Sequence, residues 1–165
     1  MNTSNAGDVI TGPVGEGIGA NDAHELAGIT YRQLDHWARQ GWVLPSLDPG
    51  KGRSGRRLYS RSDVVRLDLL RHLAISKVNT AHAGPRVSEL KLSEADMVVL
   101  WGPVGGKADL VVVARAAAVS SVAAAGGAWV VYDPNPIRRR LPRVSADADP
   151  GAHSANALPA GRRSA

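Results

Sequence analysis

The sequence predicts an α+β protein in which a winged helix-turn-helix precedes a small β-β-α-β unit, with disordered arms at both ends. Three observations carry this reading: two short helical segments joined at Gly28, a cation-rich glycine hairpin between Asp48 and Gly55, and a change after Met97 to short apolar runs. The implied divisions are an arm over 1–20, the winged domain over 21–75, a linker with a short helix over 76–95, the β-β-α-β unit over 96–141 and a tail over 142–165. At 165 residues and 44% hydrophobic content, the chain has room for one folded domain or two small ones.

The first arm holds Gly7, Gly12, Gly15, Gly17 and Gly19 without apolar periodicity, so little burial would offset its backbone entropy. Asn21 is a candidate N-cap for a helix from Asp22 to Ala27, with Ala23, Leu26 and Ala27 on one face. Gly28 supplies the turn. Thr30 caps a second helix that runs to Gln40 with Leu34 and Trp37 inward, and Gly41 ends it. The segment from Asp48 to Gly55 then leads into Arg57-Leu58-Tyr59, which has strand character, and the pair reads as a hairpin wing. Ser62 is the expected cap of a third helix, with Val64, Leu67, Leu70 and Leu73 facing the core. Gly84-Pro85 should interrupt any helix that follows, since proline blocks continuation.

Beyond Met97 the expected order is a strand to Trp101, a strand from Leu110 to Val113, a helix from Arg115 to Ala125 and a strand from Ala128 to Tyr132. Asn135-Pro136 then open a basic turn through Arg138, Arg139 and Arg140. About 45 residues bury too little apolar surface to stand alone, so this unit must pack on the winged domain or on a second copy. A homodimer through the C-terminal unit is the expectation that follows.

Charge and composition narrow the function classes. Lysine and arginine number 20 against 15 acids, a net +5 with a pI near 10.1, which favours an anionic partner such as nucleic acid. The surplus concentrates between Tyr31 and His72, where Arg32, Arg39, Lys51, Arg53, Arg56, Arg57, Arg61, Arg66 and Arg71 face only Asp35, Asp48, Asp63 and Asp68. With no cysteine there is no disulfide, thiolate metal site or thiol sensor. His24, His36, His72, His82 and His153 show no close ligand spacing, so no metal and no cofactor is called for. No apolar run reaches the roughly 18 residues of a membrane span, and the N-terminus lacks a signal-peptide layout, so a cytoplasmic, nucleoid-associated protein is expected.

The run Ala27-Gly28-Ile29-Thr30-Tyr31-Arg32-Gln33-Leu34-Asp35-His36-Trp37-Ala38-Arg39-Gln40-Gly41, followed by Pro45-Ser46, Arg56-Arg57-Leu58-Tyr59-Ser60 and Asp63-Val64, resembles the winged helix-turn-helix of actinobacterial MerR-family regulators. The resemblance implies a sequence-specific, double-stranded DNA-binding transcriptional regulator whose second helix enters the major groove while the wing follows the flanking backbone. It makes Thr30, Tyr31, Arg32, Gln33, His36 and Arg39 candidate contacts from the helix, and Lys51, Arg53, Arg56, Arg57 and Tyr59 candidates from the wing. RNA polymerase is a further candidate partner. The residue types suit such contacts, since arginine forks onto guanine, glutamine pairs with adenine, and hydroxyls reach phosphates. Asp35 departs from the family, many of whose members have arginine there; an acid facing DNA would repel phosphate unless it pairs with Arg32 or Arg39 or accepts from cytosine N4.

Blander readings stand beside these. Tyr31 can pack on the neighbouring helix, Arg39 can be a solvated charge, and the wing can be a soluble loop. Gly102-Pro103-Val104-Gly105-Gly106-Lys107 follows a strand but is one residue short of a phosphate loop and has Ala108 where a hydroxyl is needed. No serine or acid sits in a catalytic motif, so an enzyme is not expected. Two other functions fit the same residues: an excisionase-like factor that bends DNA, and an interaction module that has lost DNA binding.

Overall fold

The described residues of the computed structural model are 17–50, 56–92, 97–104 and 107–142, and Glu16–Leu141 form one compact unit. Its elements are β1 (Ile18–Gly19), α1 (Ala20–Ala27), α2 (Tyr31–Arg39), β2 (Leu58–Tyr59), α3 (Arg61–Ile75), α4 (Thr80–Glu89), β3 (Met97–Val104), β4 (Lys107–Ala114), a 3-10 turn (Arg115–Ala117), α5 (Ala118–Ala125), β5 (Val130–Tyr132) and α6 (Asn135–Arg140). Helices dominate the first part and a small sheet follows, which is the α+β class read from the sequence. Of the arms expected over 1–20 and 142–165, residues 1–16 and 143–165 lie outside the described residues.

The chain enters the fold earlier than its composition indicates. Ile18 and Gly19 pair antiparallel with Tyr59 and Leu58, and α1 starts at Ala20 with Gly19 rather than Asn21 at its cap. The cause is non-local: β2 needs a partner for its backbone, and a two-residue pairing leaves no periodicity to read. Gly28 ends α1 at φ 67, a left-handed turn that favours glycine. Thr30 then caps α2 by a reciprocal box, its hydroxyl accepting the Gln33 N–H while the Gln33 side chain accepts the Thr30 N–H. The cap of α3 is Ser60, not Ser62, because Asp63 closes the corresponding box three residues on.

The helical stretch after the wing also breaks at a different place. Helix α3 ends at Ile75, Lys77 turns the chain at φ 64, and Asn79 caps α4 by accepting the Ala81 N–H. Helix α4 then runs through Pro85, contrary to the expected interruption at Gly84-Pro85. The carbonyl that Pro85 cannot satisfy belongs to Ala81, an exposed residue whose backbone can turn to water. Gly84 is a packing site, since a Cβ there would lie 2.2 Å from the Trp42 ring.

The sheet has the order β4-β3-β5, antiparallel throughout, with Val99↔Val112 and Val99↔Tyr132 fixing the register. Alternation along β3 sends Val99 and Trp101 into the main core, with Leu34, Trp37, Leu67, Leu70 and Leu73 of the helices, and sends Val98 and Leu100 to the opposite face against Ala118 of α5. The inner face of the sheet is therefore covered by this chain's own helices. Tyr132 donates to Asp68 Oδ2 of α3 at 2.8 Å, and burial, with Asp68 close by, pushes its hydroxyl far above the usual tyrosine range. Arg61, at the start of α3, donates to the carbonyls of Leu141 (3.0 Å) and Arg138 (3.3 Å), pinning α6. Arg115 forks onto Asp133 at 2.5 and 2.9 Å and holds that carboxyl below its ordinary range. Gly102–Val104 end β3 and Lys107 opens its antiparallel partner β4, so a strand follows where a phosphate loop would need a helix.

Candidate nucleic-acid interface

The amphipathic character of α2 sets up the surface. Leu34 and Trp37 are buried, and the opposite side exposes Arg32, Gln33, His36, Arg39 and Gln40. Their spacing of one, four and seven residues is that of a single helix face. Arg32 is exposed and carries no ion pair among the described residues. Thr30 and exposed Gln33 share the capping box, which occupies the Gln33 Oε1. The packing expected of Tyr31 holds in part, since it is half exposed yet sits edge-on to His24 of α1 at 5.8 Å; exposed His36 also sits edge-on to Trp42, at 5.7 Å.

Asp35 lies at the rim of this face and is paired twice. It accepts from Arg39 one turn along the helix and from Arg57 Nη1 at 3.2 Å. The sequence offered Arg32 or Arg39 as its partner; Arg57, from the wing, is the one that spacing along the chain could not reveal. Burial works against the charged Arg57 guanidinium, but the hydrogen bond to Asp35 together with the charge interactions with Tyr59, Asp35 and Tyr31 outweighs it and raises the group above its ordinary range. The acid thus ties α2 to Arg57, which precedes β2.

The root of the wing is well fixed. Asp48 and Leu58 exchange backbone hydrogen bonds at 3.2 and 2.9 Å, and Gly50 turns at φ 71 under a bond from its N–H to Asp48 Oδ1. Arg56 is exposed and lays its guanidinium 3.4 Å from where a Gly19 Cβ would stand. Lys51 and Arg53 lie outside the described residues. Tyr59 is a correction: it is fully buried beside β1, so its side chain builds the core and has no surface to offer a phosphate. Alternation explains this, because Leu58 and Tyr59 on one short strand point to opposite faces.

A positioning group escaped the sequence reading. Asp63, only 2% exposed, accepts the Ser46 N–H (2.9 Å), the Ser46 hydroxyl (2.6 Å) and the Ser60 N–H (2.8 Å), and pairs with Arg66 at 3.2 Å. One carboxylate therefore holds the loop after α2, the exit of the wing and the first turn of α3 together. The signal for it was present in Ser60-Arg61-Ser62-Asp63, a capping-box spacing.

Residues 20–83 match the family described as MerR HTH family regulatory protein. The chain is 38% identical over 69 residues to an uncharacterized HTH-type transcriptional regulator of Mycobacterium bovis and equally to one of Mycobacterium tuberculosis. That match covers 42% of this chain and 31% of each relative, so the chain spans about a third of the length of these curated relatives. No helix among the described residues is long and apolar enough to cross a membrane. The matched residues begin at the first residue of α1 and run through α2, the wing root and α3 into α4, so this segment of the chain is similar to a MerR helix-turn-helix domain.

Proposed function

We propose that this chain is a sequence-specific, double-stranded DNA-binding transcriptional regulator, with α2 reading base edges in the major groove and the wing holding the flanking phosphates. The observation that carries the reading is the outer face of α2, where Arg32, Gln33, His36 and Arg39 stand exposed opposite the buried Leu34 and Trp37, coupled through Asp35 to Arg57 of the wing. Arg32 has the bidentate fork that suits guanine O6 and N7, Gln33 offers its amide donors, and Arg39 and Arg57 lie where backbone charge would run. Acting on transcription would bring RNA polymerase in as a further partner. The reading as an interaction module drew on Asp35 as an acid facing DNA; its pairing with Arg39 and Arg57 supports the DNA-binding reading over that one.

The test begins with footprinting to obtain the site, then compares Arg32→Ala across single-base variants of it. Loss of about 1–3 kcal/mol confined to one base position is the expected result. Uniform weakening on every sequence would assign Arg32 to phosphate, and no preferred site at all would leave an architectural DNA-binding factor as the better reading.

A further inference from the structure

Helix α6 ends in three arginines, Arg138, Arg139 and Arg140, and the start of α3 sets its place in the fold. Arg61, the first residue of α3, donates to the carbonyl oxygens of Arg138 and Leu141, while Ile137 and Leu141 are buried in the main core. Cations in the last turn of a helix ordinarily serve its last carbonyls and its dipole. Here Arg61 takes two of those carbonyls, so that role is filled from α3. Arg139 and Arg140 are exposed and form no ion pair among the described residues; the Asp133 carboxylate, which the Arg139 charge also steadies, is forked by Arg115. The position brings these cations beside β2. Arg57 precedes that strand and Arg61 follows it, so their backbone positions are at most about 14 Å apart, a distance that one strand of duplex DNA covers in about four nucleotides. Helix α6 also packs on α1, whose N-cap, Gly19, lies beside the Arg56 guanidinium.

We propose that Arg139 and Arg140 of α6 hold phosphates of the same duplex that α2 reads, next to those met at β2, so that the DNA contact extends from the helix-turn-helix into the C-terminal part of the chain. The proposal rests on the DNA reading and adds to it a contact outside residues 20–83, the segment similar to a MerR domain. Continuity and charge select duplex DNA as the occupant. The elements α2, β2 and α6, which carry or adjoin the exposed Arg32, Arg39, Arg56, Arg139 and Arg140, all pack on the one helix α1. Arginines on a helix pinned to the core neutralise phosphate without meeting any base, and contacts of that kind fix the register of a duplex while carrying no sequence information.

Arg139→Ala combined with Arg140→Ala in the full chain tests this, on the footprinted site carried in a duplex about one helical turn longer at each end. Titrations over a salt series should give a slope of log affinity against log salt less steep than the parent's by about 0.9 for each phosphate given up, hence by about 1–2. Preference among single-base variants of the site should stay as it is. Arg139→Lys combined with Arg140→Lys keeps both charges and should retain the parent slope. Loss of preference at one base position in the alanine variant overturns the proposal, and so does a lysine variant that loses as much as the alanine one, which would trace the effect to the fold. A parent that binds while the alanine variant keeps its slope removes this proposal alone; a parent that binds no duplex removes the DNA reading and this proposal with it.

Discussion

Asp35 shows how one residue can be readable in kind and hidden in connection. Its negative charge at the rim of a cationic face demands a cation, and Arg39, one turn along the helix, is found by counting. Arg57 is 22 residues away and reaches it through the fold, in which the Asp63 carboxylate holds Ser46 of the loop after α2 to Ser60 beside β2. Asp35→Asn should therefore release two arginines toward an anionic partner. Tighter DNA binding at low ionic strength by about 1 kcal/mol, fading as salt rises, is the expected outcome in a fluorescence titration. Weaker binding would mean that Asp35 serves chiefly to aim Arg39 and Arg57. Tyr59 carries the opposite lesson, for a hydroxyl beside basic wing residues looks like a phosphate contact until strand alternation turns it inward.

Within single helices and strands, what the sequence discloses is whatever local chemistry decides. Thr30 with Gln33, Gly28 as a left-handed turn and the buried pair Leu34 and Trp37 all follow from spacing within one turn of chain. Strand β1 and the uninterrupted helix α4 do not, because each depends on a distant partner: β2 for the first, Trp42 for the second. Gly84 is the instructive case. Beside proline it looks like a helix stop, yet the Trp42 ring occupies the space its missing Cβ would take. Gly84→Ala should then destabilise the fold although alanine is the better helix former, because overpacking by about 1–3 kcal/mol exceeds the propensity gain of about 1 kcal/mol. Denaturant midpoints of the two proteins measure this, and a stabilised variant would show that Trp42 moves aside freely.

Across the fold, the composition indicated correctly that the β-β-α-β unit needs an outside surface to cover its sheet, but not which one. The answer depends on tertiary geometry: Val99, Trp101, Tyr132, Ile137 and Leu141 enter the same core as the winged helices. Removing everything after Leu92 takes away those five side chains, each worth about 1.5–3 kcal/mol of burial, against a total stability of roughly 5–15 kcal/mol for a domain. The truncated chain is expected to lose its cooperative thermal transition and to bind apolar dyes, whereas the full chain melts in one step. A truncated protein that melts cooperatively near the parent temperature would mean that the helices need no sheet.

If α2 and the wing hold double-stranded DNA by its charge and read it by its bases, binding to the footprinted site must weaken as salt rises. On α2 and beside the wing, Arg32, Arg39 and Arg56 stand exposed and Arg57 half-buried, and each neutralised phosphate contributes roughly −0.9 to the slope of log affinity against log salt, so a slope of about −2 to −4 is expected from a titration of that site. A slope indistinguishable from zero, or no binding at low salt, would refute DNA binding through this surface.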